Sequence, residues 1–435
     1  ALIGLGVPVL AAYYPIWSGT RVTVREALSD YGISKTAATG PLDRFLTRLR
    51  GPLFPRPVAL SFRNTFRRRA RLILTLLPMA LSGAILLTVF NVRVSLMEEL
   101  DNIFRYRNYD INISFERPYR LSEIENTALN VPGVVDVEGY RETQDAYRLR
   151  ADGSRSDNIS IVSLSPETDI IRLPLAEGRW LTTQDQTAVV VNSAFLRDEP
   201  DVHLNDSLLV KINGRKVTVQ VVGIVNEKMA PASIYVNDGY FGKILGGVGR
   251  MSSLLAVIAP ETSQENIKEK LEAKFEQAGL SVVYLKTTSD ERGSIEFHFS
   301  IMIVPLGLVA LMLALVGGLG LSGTMSTNVM ERSREVGVMR AIGASDGSIQ
   351  RIFMVEGLVI GLISWLFSIV AALPLTYVLD TMIGNGFLYE PLMYIFSFSG
   401  ALIWLMIVLV TAALSCYVPA QNASQTSVRE LLAYE

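Results

Sequence analysis

The residues that could perform catalysis or hold a metal are few in this sequence and lie far apart. The two histidines, His203 and His298, have no cysteine or second histidine nearby in sequence. Because protein metal sites need several such ligands at short spacing, we expect no metal site and place both histidines at a surface or an interface. No G-x-S-x-G stretch is present, so nothing indicates a serine hydrolase. We expect no catalytic residue and no cofactor.

Nucleotide chemistry is equally unsupported by the sequence. The glycine-rich stretch GGVGRMSS at 246–253 lacks the lysine with which a P-loop contacts phosphates. We therefore expect that this chain is not an enzyme and does not hydrolyse ATP. Carboxylate pairs such as Glu98 and Glu99 are typical of solvated acidic surfaces. The net charge of −2 gives no field that would recruit nucleic acid.

One charged segment, ERSREVGVMRAIGA at 331–344, lies between two long apolar runs. Its arginines and glutamates must lie in water at a membrane face, and the arginines favour the cytoplasmic side. At helical spacing Val336, Met339 and Ile342 fall on one side, which predicts a short amphipathic helix. Such a helix can dock in a groove of a soluble partner. The alternative is a basic juxtamembrane loop that only sets orientation.

The composition is that of an integral membrane protein. Charged residues make up 19% of the 435 residues and hydrophobic ones 49%, and the mean hydropathy is +0.32. Four apolar runs are long enough to span a bilayer, at about 72–92, 300–328, 352–379 and 394–416. The second is longer than a bilayer requires, so we expect it to project beyond the membrane.

Charge at the ends of these runs predicts the topology. Five arginines (Arg63, Arg67, Arg68, Arg69 and Arg71) precede the first run, which places that edge inside. The loop between the third and fourth runs carries only Asp380 and Glu390, which places it outside. The polar stretch 93–296 is then an extracytoplasmic domain. We predict an α-helical membrane protein of four spans, with an α+β extracytoplasmic domain inserted between the first and second spans.

The domain's pattern mixes helices and strands. Ser122 with Glu125, and Thr262 with Glu265, have the capping-box spacing that predicts a helix start. Strands are predicted at 109–115, 159–164, 188–192, 208–212, 217–225 and 280–285, with Asn213-Gly214 as a hairpin turn.

An internal repeat predicts that a further membrane unit precedes this one. Pro15, Val24, Arg25, Glu26 and Leu28 recur at one constant spacing as Pro419, Val428, Arg429, Glu430 and Leu432. The predicted organisation is therefore the tail of a preceding membrane unit (1–30), a cytoplasmic linker (31–58), an interfacial helix with the first span (59–92), the extracytoplasmic domain (93–296), the second span (297–330), a cytoplasmic coupling segment (331–350), the third and fourth spans (351–418) and a cytoplasmic tail (419–435).

Glycines in two spans predict close helix packing. Small residues let helices approach where the hydrophobic effect cannot drive association. The predicted packing positions are Gly317, Gly318, Gly320 and Gly323 in the second span, and Gly357 and Gly361 in the third.

The four spans, the inserted domain and the charged segment together resemble the FtsX/MacB family of ABC-transporter permeases over about 58–435. The segment resembles that family's E-R-x-R-E-[IV]-G-x-x-R-A-[IL]-G-A motif at Glu331, Arg332, Arg334, Glu335, Gly337, Arg340, Ala341, Gly343 and Ala344. The domain is similar to the family's MacB-like periplasmic core domain in PLAEGRWL (174–181), AVVVNSAF and VVGIV (221–225).

The resemblance implies that 331–344 contacts a cytoplasmic ABC ATPase subunit, and two such subunits per permease are expected. Glu356 also lies where such permeases often have a glutamate. Its simpler role is that of an interfacial carboxylate paired with Arg351 or Arg340.

We interpret the chain as a multi-pass cell-membrane permease that transmits ATP-driven motion to the outside domain. The cargo class stays open between lipoprotein, peptide, antibiotic and lipid, as does activation of a wall hydrolase, and an extracytoplasmic protein partner is also considered. The alternative is a membrane-anchored sensor or scaffold whose outside domain binds a ligand. Glycine packing faces and an internal duplication favour the permease.

Overall fold

The computed structural model describes residues 69–425 except Gly246 and Tyr389. The helices of this part of the chain are α1 (Arg69–Arg105), α2 (Leu121–Leu129), α3 (Ser193–Asp198), α4 (Asp238–Leu245), α5 (Gln264–Gln277), α6 (Thr288–Glu331), α7 (Ser333–Ala341), α8 (Asp346–Phe387) and α9 (Phe398–Gln425). By length and composition, α1, α6, α8 and α9 can each cross a membrane. A domain of strands and shorter helices lies between α1 and α6, so the predicted fold class is confirmed.

Some predictions lie outside the described residues. These are the preceding membrane unit, the linker, the interfacial part of 59–68 and the chain beyond residue 425. The first copy of the predicted repeat also falls there.

The membrane helices extend beyond the hydropathy boundaries. The predicted domain limits at 93 and 296 fall inside α1 and α6, because backbone hydrogen bonds continue after a helix has left the apolar region. At 1.5 Å per residue, the 44 residues of α6 span about 66 Å. A hydrocarbon core is about 30 Å thick. The prediction that the second span projects beyond the membrane therefore agrees with the length of α6.

The helix α8 also continues past its predicted end. Asp380, which was predicted to lie in a loop, is helical, and its side chain is buried with an exposure of 2%. Neither of its carboxylate oxygens has a hydrogen-bond partner in the described part of the chain. No helix-breaking signal marks the predicted boundary, so the hydropathy pattern placed the end too early.

The domain between α1 and α6 contains one mixed sheet. Its strands are β1 (Ile111–Arg120), β2 (Val134–Thr143), β3 (Ala146–Leu149), β4 (Ser160–Leu164), β5 (Leu175–Gly178), β6 (Ala188–Asn192), β7 (Ser207–Ile212), β8 (Arg215–Val225), β9 (Ser233–Asn237), β10 (Arg250–Ile258) and β11 (Val282–Thr287). Their order is β11-β1-β10-β2-β4-β9-β6-β8-β7-β3, with β5 paired to β8. The predicted turn at Asn213-Gly214 joins β7 to β8, and both residues have positive φ.

Three hydrophobic cores pack against the sheet, and two of them lie in separate lobes. In the first lobe, β11, β1, β10 and β2 pair antiparallel and α2 and α5 pack against them. There the ring of Phe275 lies edge-on to that of Phe115, with centroids 5.2 Å apart. In the second lobe, β3 to β9 enclose a core that includes Val191, Phe195 and Phe241. Strands β6 and β9 are buried along their whole length. Burial on both faces of β6 explains why residues 188–191 form a continuous apolar run rather than an alternating one.

Both predicted capping boxes of the domain are wrong. The N-caps are Arg120 for α2 and Ser263 for α5, and neither side chain bonds to its helix. The cap of α2 therefore lies two residues before the position that the motif predicted, and the cap of α5 lies one residue after it. The predicted caps, Ser122 and Thr262, lie just inside and just outside the helices.

A capping box forms instead where the domain meets α6. The Thr287 side chain accepts a hydrogen bond from Asp290 N at 3.0 Å, and Asp290 Oδ2 accepts one from Thr287 N at 3.3 Å. Thr287 is also the last residue of β11. The strand thus passes into the long helix without a flexible connection.

Polar contacts tie α1 to its neighbours inside the bundle. Ser82 Oγ donates a hydrogen bond to the Ala310 carbonyl of α6 at 2.8 Å, and Asn91 Nδ2 donates one to Thr376 Oγ1 of α8 at 3.1 Å. Inside a bilayer such hydrogen bonds fix helix register, because no water competes for the partners.

Ion pairs join the domain to the membrane helices. Lys228 Nζ lies 2.9 Å from Glu99 Oε1 on α1 and 3.4 Å from Glu390 Oε2 in the loop before α9. Arg292 of α6 pairs with Asp101 of α1. Glu99 is buried at 8% exposure, so the prediction that it belongs to a solvated acidic surface is wrong.

Candidate functional site

The segment predicted to contact a partner forms a short helix between two membrane helices. The last residue of α6 is Glu331, and Arg332, at φ −104° and ψ 13°, breaks the helix before α7 begins. After α7, Gly343 takes φ +98°, a conformation that glycine adopts at low cost. Ser345 then caps α8 by accepting a hydrogen bond from Ser348 N. Since α6 starts at the domain, α7 lies at the opposite end of the bundle.

The inner side of α7 is anchored to the permease itself. Val336, at 2% exposure, packs in a core with Ile349 and Phe353 of α8 and with Ala420 and Ala423 of α9. Met339 packs at the edge of this core. The prediction that Val336 and Met339 form an outward docking stripe is therefore wrong, because the nearest apolar surface belongs to the chain's own helices.

Arg332 connects the segment to the inner end of α8. Its Nη1 lies 3.2 Å from Glu356 Oε2 and its Nε lies 2.9 Å from Glu335 Oε2. Its guanidinium lies over the ring of Phe353, 5.4 Å from the ring centroid. Glu356, at 3% exposure, also accepts a hydrogen bond from Asn328 Nδ2 at 2.7 Å. Glu356 is thus the interfacial carboxylate that was expected, but its partner is Arg332 rather than Arg351 or Arg340.

The outer side of α7 carries an acidic and apolar strip. Glu335 is exposed, and the exposed fractions of Val338 and Ile342 are 51% and 81%. Their spacing of three and then four residues places them on one helical face. An exposed apolar pair beside a carboxylate is suited to bind a groove in another protein. We call Glu335, Val338 and Ile342 the outer strip.

The remaining motif residues shape the segment. Arg340 pairs with Asp346 at the start of α8, which closes the turn through Gly343. Gly337 is buried on the inner side of α7, and Ala344 packs against the core around Val336. Arg334 is the second residue of α7. The motif residues with described exposed side chains or backbone are Glu331, Glu335, Ala341 and Gly343.

The glycines predicted to pack fall into two groups. A Cβ added at Gly357 would lie 2.1 Å from Cys416 Sγ, and one at Gly361 would lie 3.2 Å from Ala412 Cβ. Those two positions permit the close contact of α8 with α9.

The glycines of α6 divide in the same way. A Cβ at Gly317 would lie 2.9 Å from Met79 Cγ of α1, and one at Gly318 would lie 2.6 Å from Thr411 Cγ2 of α9. Gly320 and Gly323 have nothing within 4 Å of an added Cβ. They therefore pack against no other helix in the part of the chain that the structure describes.

Two parts of the site escaped the sequence analysis. Asn328 lies four residues before Arg332, a spacing that could have indicated a shared partner, but no sequence signal joins either residue to Glu356. The exposed Val338 was overlooked because the predicted stripe ran through Val336.

Comparison with known proteins identifies both halves of this architecture. A model described as the FtsX-like permease C-terminal matches residues 307–428, and one described as the MacB-like periplasmic core domain matches residues 72–274. The first match includes the segment around α7, and the second covers α1 and most of the inserted domain.

Individual relatives agree with these matches. An uncharacterized ABC transporter permease of Methanocaldococcus jannaschii is 26% identical over 48% of this chain, and the alignment spans only about half (53%) of that relative. The uncharacterized ABC transporter permease YvrN of Bacillus subtilis is 25% identical over 87% of this chain and 99% of its own length. A solved periplasmic region of MacB from Actinobacillus actinomycetemcomitans covers 46% of this chain and 98% of its own, with 16% identity and a TM-score of 0.34.

The family models and the relatives match the same four-helix unit and inserted domain that the structure contains. The predicted resemblance is confirmed: this chain carries the FtsX-like permease C-terminal and the MacB-like periplasmic core domain, and its relatives include ABC transporter permeases.

Proposed function

We propose that this permease transmits ATP-driven motion of a cytoplasmic ABC ATPase to its inserted domain, which then acts on cargo outside the membrane. The observation that carries the proposal is the continuity of α6. This helix of 44 residues begins at the Thr287–Asp290 capping box, directly after the last strand of the domain, and α7 follows its last residue after Arg332. A helix held at both ends can move both ends together.

The attachment at the α7 end supports this role. Val336 is buried against α8 and α9, and Arg332 is paired with Glu356, so α7 is held to three helices at once. A push on α7 would therefore move the inner ends of α6, α8 and α9 rather than bend a loose loop.

The outer strip is the surface proposed to receive the ATPase. Val338 and Ile342 are the large exposed apolar side chains among the described side chains of this segment, and Glu335 lies beside them. Central apolar anchors with a polar rim are the usual energetic pattern of a protein interface. The ATPase is a separate subunit in this proposal, with two copies per complete permease, and the cargo is hydrophobic or of peptide or lipoprotein type.

The docking surface can be tested by replacing both anchors with aspartate, Val338→Asp and Ile342→Asp. We expect the double variant to insert normally but to lose binding of the cognate ATP-binding subunit in pull-downs from nanodiscs, together with any stimulation of ATP turnover. The matched control is Val135→Asp with Val283→Asp, because these domain valines are 62% and 63% exposed. Wild-type binding and turnover in the first variant would reject the outer strip as the docking surface.

The sidedness in this proposal has its own test. In a Cys416→Ala background, single cysteines at Ser154 and at Asn385 should react with an impermeant thiol reagent added to intact cells, whereas one at Ser333 should not. Ser154 and Asn385 are exposed, and Ser333 is partly exposed at the start of α7. Labelling at Ser333 in intact cells would reverse the proposed orientation.

A further inference from the structure

A cleft opens where the chain passes between the membrane helices and the domain. Tyr106, Arg107 and Tyr109, directly after α1, form one wall, and Glu291 in the first turn of α6 lies beside them. The cleft has a volume of about 260 Å³. The chain just after α1 and the first turn of α6 thus both contribute residues to it.

The second lobe and β2 form the other walls. The loop between β8 and β9 contributes Glu227, Met229 and Pro231, while Tyr140 and Glu142 come from β2. The remaining lining is mainly apolar and consists of Val162, Ile171, Leu173, Ala230 and Leu255, with Asn112, Ser233 and Tyr235 as polar members.

The charges of the cleft do not balance. Arg107 is its single cation among the lining residues, and its Nη1 is paired with Glu291 Oε2 at 3.1 Å. The other two lining carboxylates, Glu142 and Glu227, form no ion pair with any residue that the structure describes. The cleft therefore carries an excess of negative charge.

Neutral donors hold the two uncompensated carboxylates in place. Glu142 Oε1 accepts a hydrogen bond from Ser160 Oγ at 2.6 Å. Both side-chain hydrogen bonds of Glu227, from Asn192 Nδ2 and from the Tyr235 hydroxyl, end on Oε2. Oε1 of Glu227 is left available to a ligand. Burial raises the pKa of Glu227, because desolvation of its carboxylate outweighs the hydrogen bonds from Tyr235 and Asn192 and the charge of Arg107.

Aromatic rings surround these carboxylates. Tyr106, Tyr109, Tyr140 and Tyr235 all line the cleft. The Tyr106 hydroxyl is buried and has no hydrogen-bond partner among the described residues, an arrangement that is costly without a ligand or a water. Tyrosine faces attract organic cations, and this attraction grows when the cation is desolvated.

We propose that this cleft binds a small organic cation, an ammonium group attached to an apolar body. The ammonium group would lie between Glu227 and Glu142 against the tyrosine rings, and the apolar body would contact the aliphatic wall. The Tyr106 hydroxyl is placed to hydrogen-bond to a polar atom of the same ligand.

Other ligand classes fit less well. An anion would be repelled by the excess carboxylates and would find only Arg107, which Glu291 already occupies. A metal ion prefers several oxygen ligands without an apolar wall, and the described residues contain no cluster of His, Cys, Asp and Glu side chains that could hold one.

The test uses the full chain in zwitterionic nanodiscs and three probes of nearly equal shape. These are 4-phenylbutylammonium, 4-phenylbutanol and 5-phenylpentanoate, titrated by calorimetry, with empty nanodiscs as the blank. We expect saturable binding of the ammonium probe, at least tenfold weaker binding of the alcohol and none of the carboxylate. Equal binding of the ammonium and the alcohol, or no saturable binding of the ammonium, would overturn the proposal.

Variants locate the bound cation. Glu142→Gln changes an exposed side chain, so folding should be unaffected, and we expect about tenfold weaker ammonium binding; Glu227→Gln should weaken it at least as much. Glu138→Gln is the matched control, because Glu138 is a partly buried carboxylate of β2 outside the cleft. Unchanged affinity in Glu142→Gln and in a folded Glu227→Gln would contradict the assignment.

These measurements need no ATPase. Failure of the outer strip as a docking surface would therefore leave the ligand proposal intact, and failure of ligand binding would leave the proposed coupling intact.

Discussion

Arg332 Nη1 lies 3.2 Å from Glu356 Oε2, and this ion pair joins the residue between α6 and α7 to the inner end of α8. Glu356 is 3% exposed and the Arg332 side chain 15%. Removing one partner of such a pair leaves the other charge buried.

The ion pair therefore predicts that losing Arg332 alone destabilises the protein more than losing both charges together. Arg332→Gln should destabilise the protein by about 3 kcal/mol, because the Glu356 carboxylate would lose its cation. Glu356→Gln in the same chain should restore much of that loss, since the amide can still accept the hydrogen bond from Asn328. Thermal unfolding in detergent of wild type, both single variants and the double variant measures this. A double variant less stable than Arg332→Gln would contradict the account.

The glycine contacts predict a difference between two similar substitutions. Gly357→Ala should destabilise the bundle by about 1 to 3 kcal/mol, because the new Cβ would clash with Cys416 Sγ. Gly320→Ala should cost nothing measurable within the chain, where that position faces open space. Thermal unfolding compares the two.

Cys416→Ala provides the control for this clash. It removes the Sγ atom and should recover part of the stability lost in Gly357→Ala, although Cys416 Cβ would still lie 3.2 Å away. Equal melting temperatures for Gly357→Ala with and without Cys416→Ala would show that another contact limits the position.

Glu227 predicts a pH dependence of stability. Burial raises its pKa in the folded protein above the unfolded value of about 4.3. The folded state therefore binds this proton more tightly, and its contribution to stability is present below the unfolded pKa and lost as pH rises through the folded pKa.

The variant Glu227→Gln should remove that contribution to the pH dependence. The difference in melting temperature between variant and wild type should thus become more favourable to the variant between pH 5 and pH 8. A constant difference across this range would mean that Glu227 is ionised equally easily in both states. Burial also raises the pKa of Glu138 in β2, so Glu138→Gln should change the pH dependence in the same direction.

Lys228 predicts a coupling between the domain and the bundle. It lies beside Glu227 in sequence and pairs with Glu99 and Glu390 of the membrane part. Lys228→Glu should therefore weaken ATP-dependent movement of the domain, and Glu99→Lys in the same chain should restore one of the two contacts. We expect recovery in the swapped pair of at least half of the lost response. Lys243→Glu, another basic residue of the domain, is the control.

Much of the architecture could be predicted from the sequence. Hydropathy located all four spans, a continuous apolar run located β6, and alternation located β7, each strand to within a residue. The segment around α7 was recognisable because a helix-forming charged stretch between two apolar runs has few alternatives.

The errors have physical causes. Hydropathy marks where a helix leaves lipid rather than where it ends, so Asp380 was placed in a loop. The capping pattern at Thr262 describes a local preference that the packing of α5 overrode by one residue. The partners of Glu356 and Glu99 come from segments distant in sequence, and pairing between distant segments leaves no periodic signal.

The glycines show the same limit. The sequence shows which positions allow close approach, but only the arrangement of neighbouring helices decides which are used. Gly357 faces Cys416, whereas an added Cβ at Gly320 would meet none of the residues that the structure describes.

The measurement closest to the central claim is the distance between the domain and the bundle during ATP binding. Spin labels at Ser154, in the exposed turn after β3, and at Asn385, near the end of α8, report this distance by pulsed electron resonance in a Cys416→Ala background. In nanodiscs with the cognate ATPase, we predict that ATP shifts the distance distribution in the wild-type segment and leaves it unchanged when Val338 and Ile342 are aspartate. An ATP-dependent shift that survives this substitution, or no shift with the intact segment, would contradict transmission through α7 and α6.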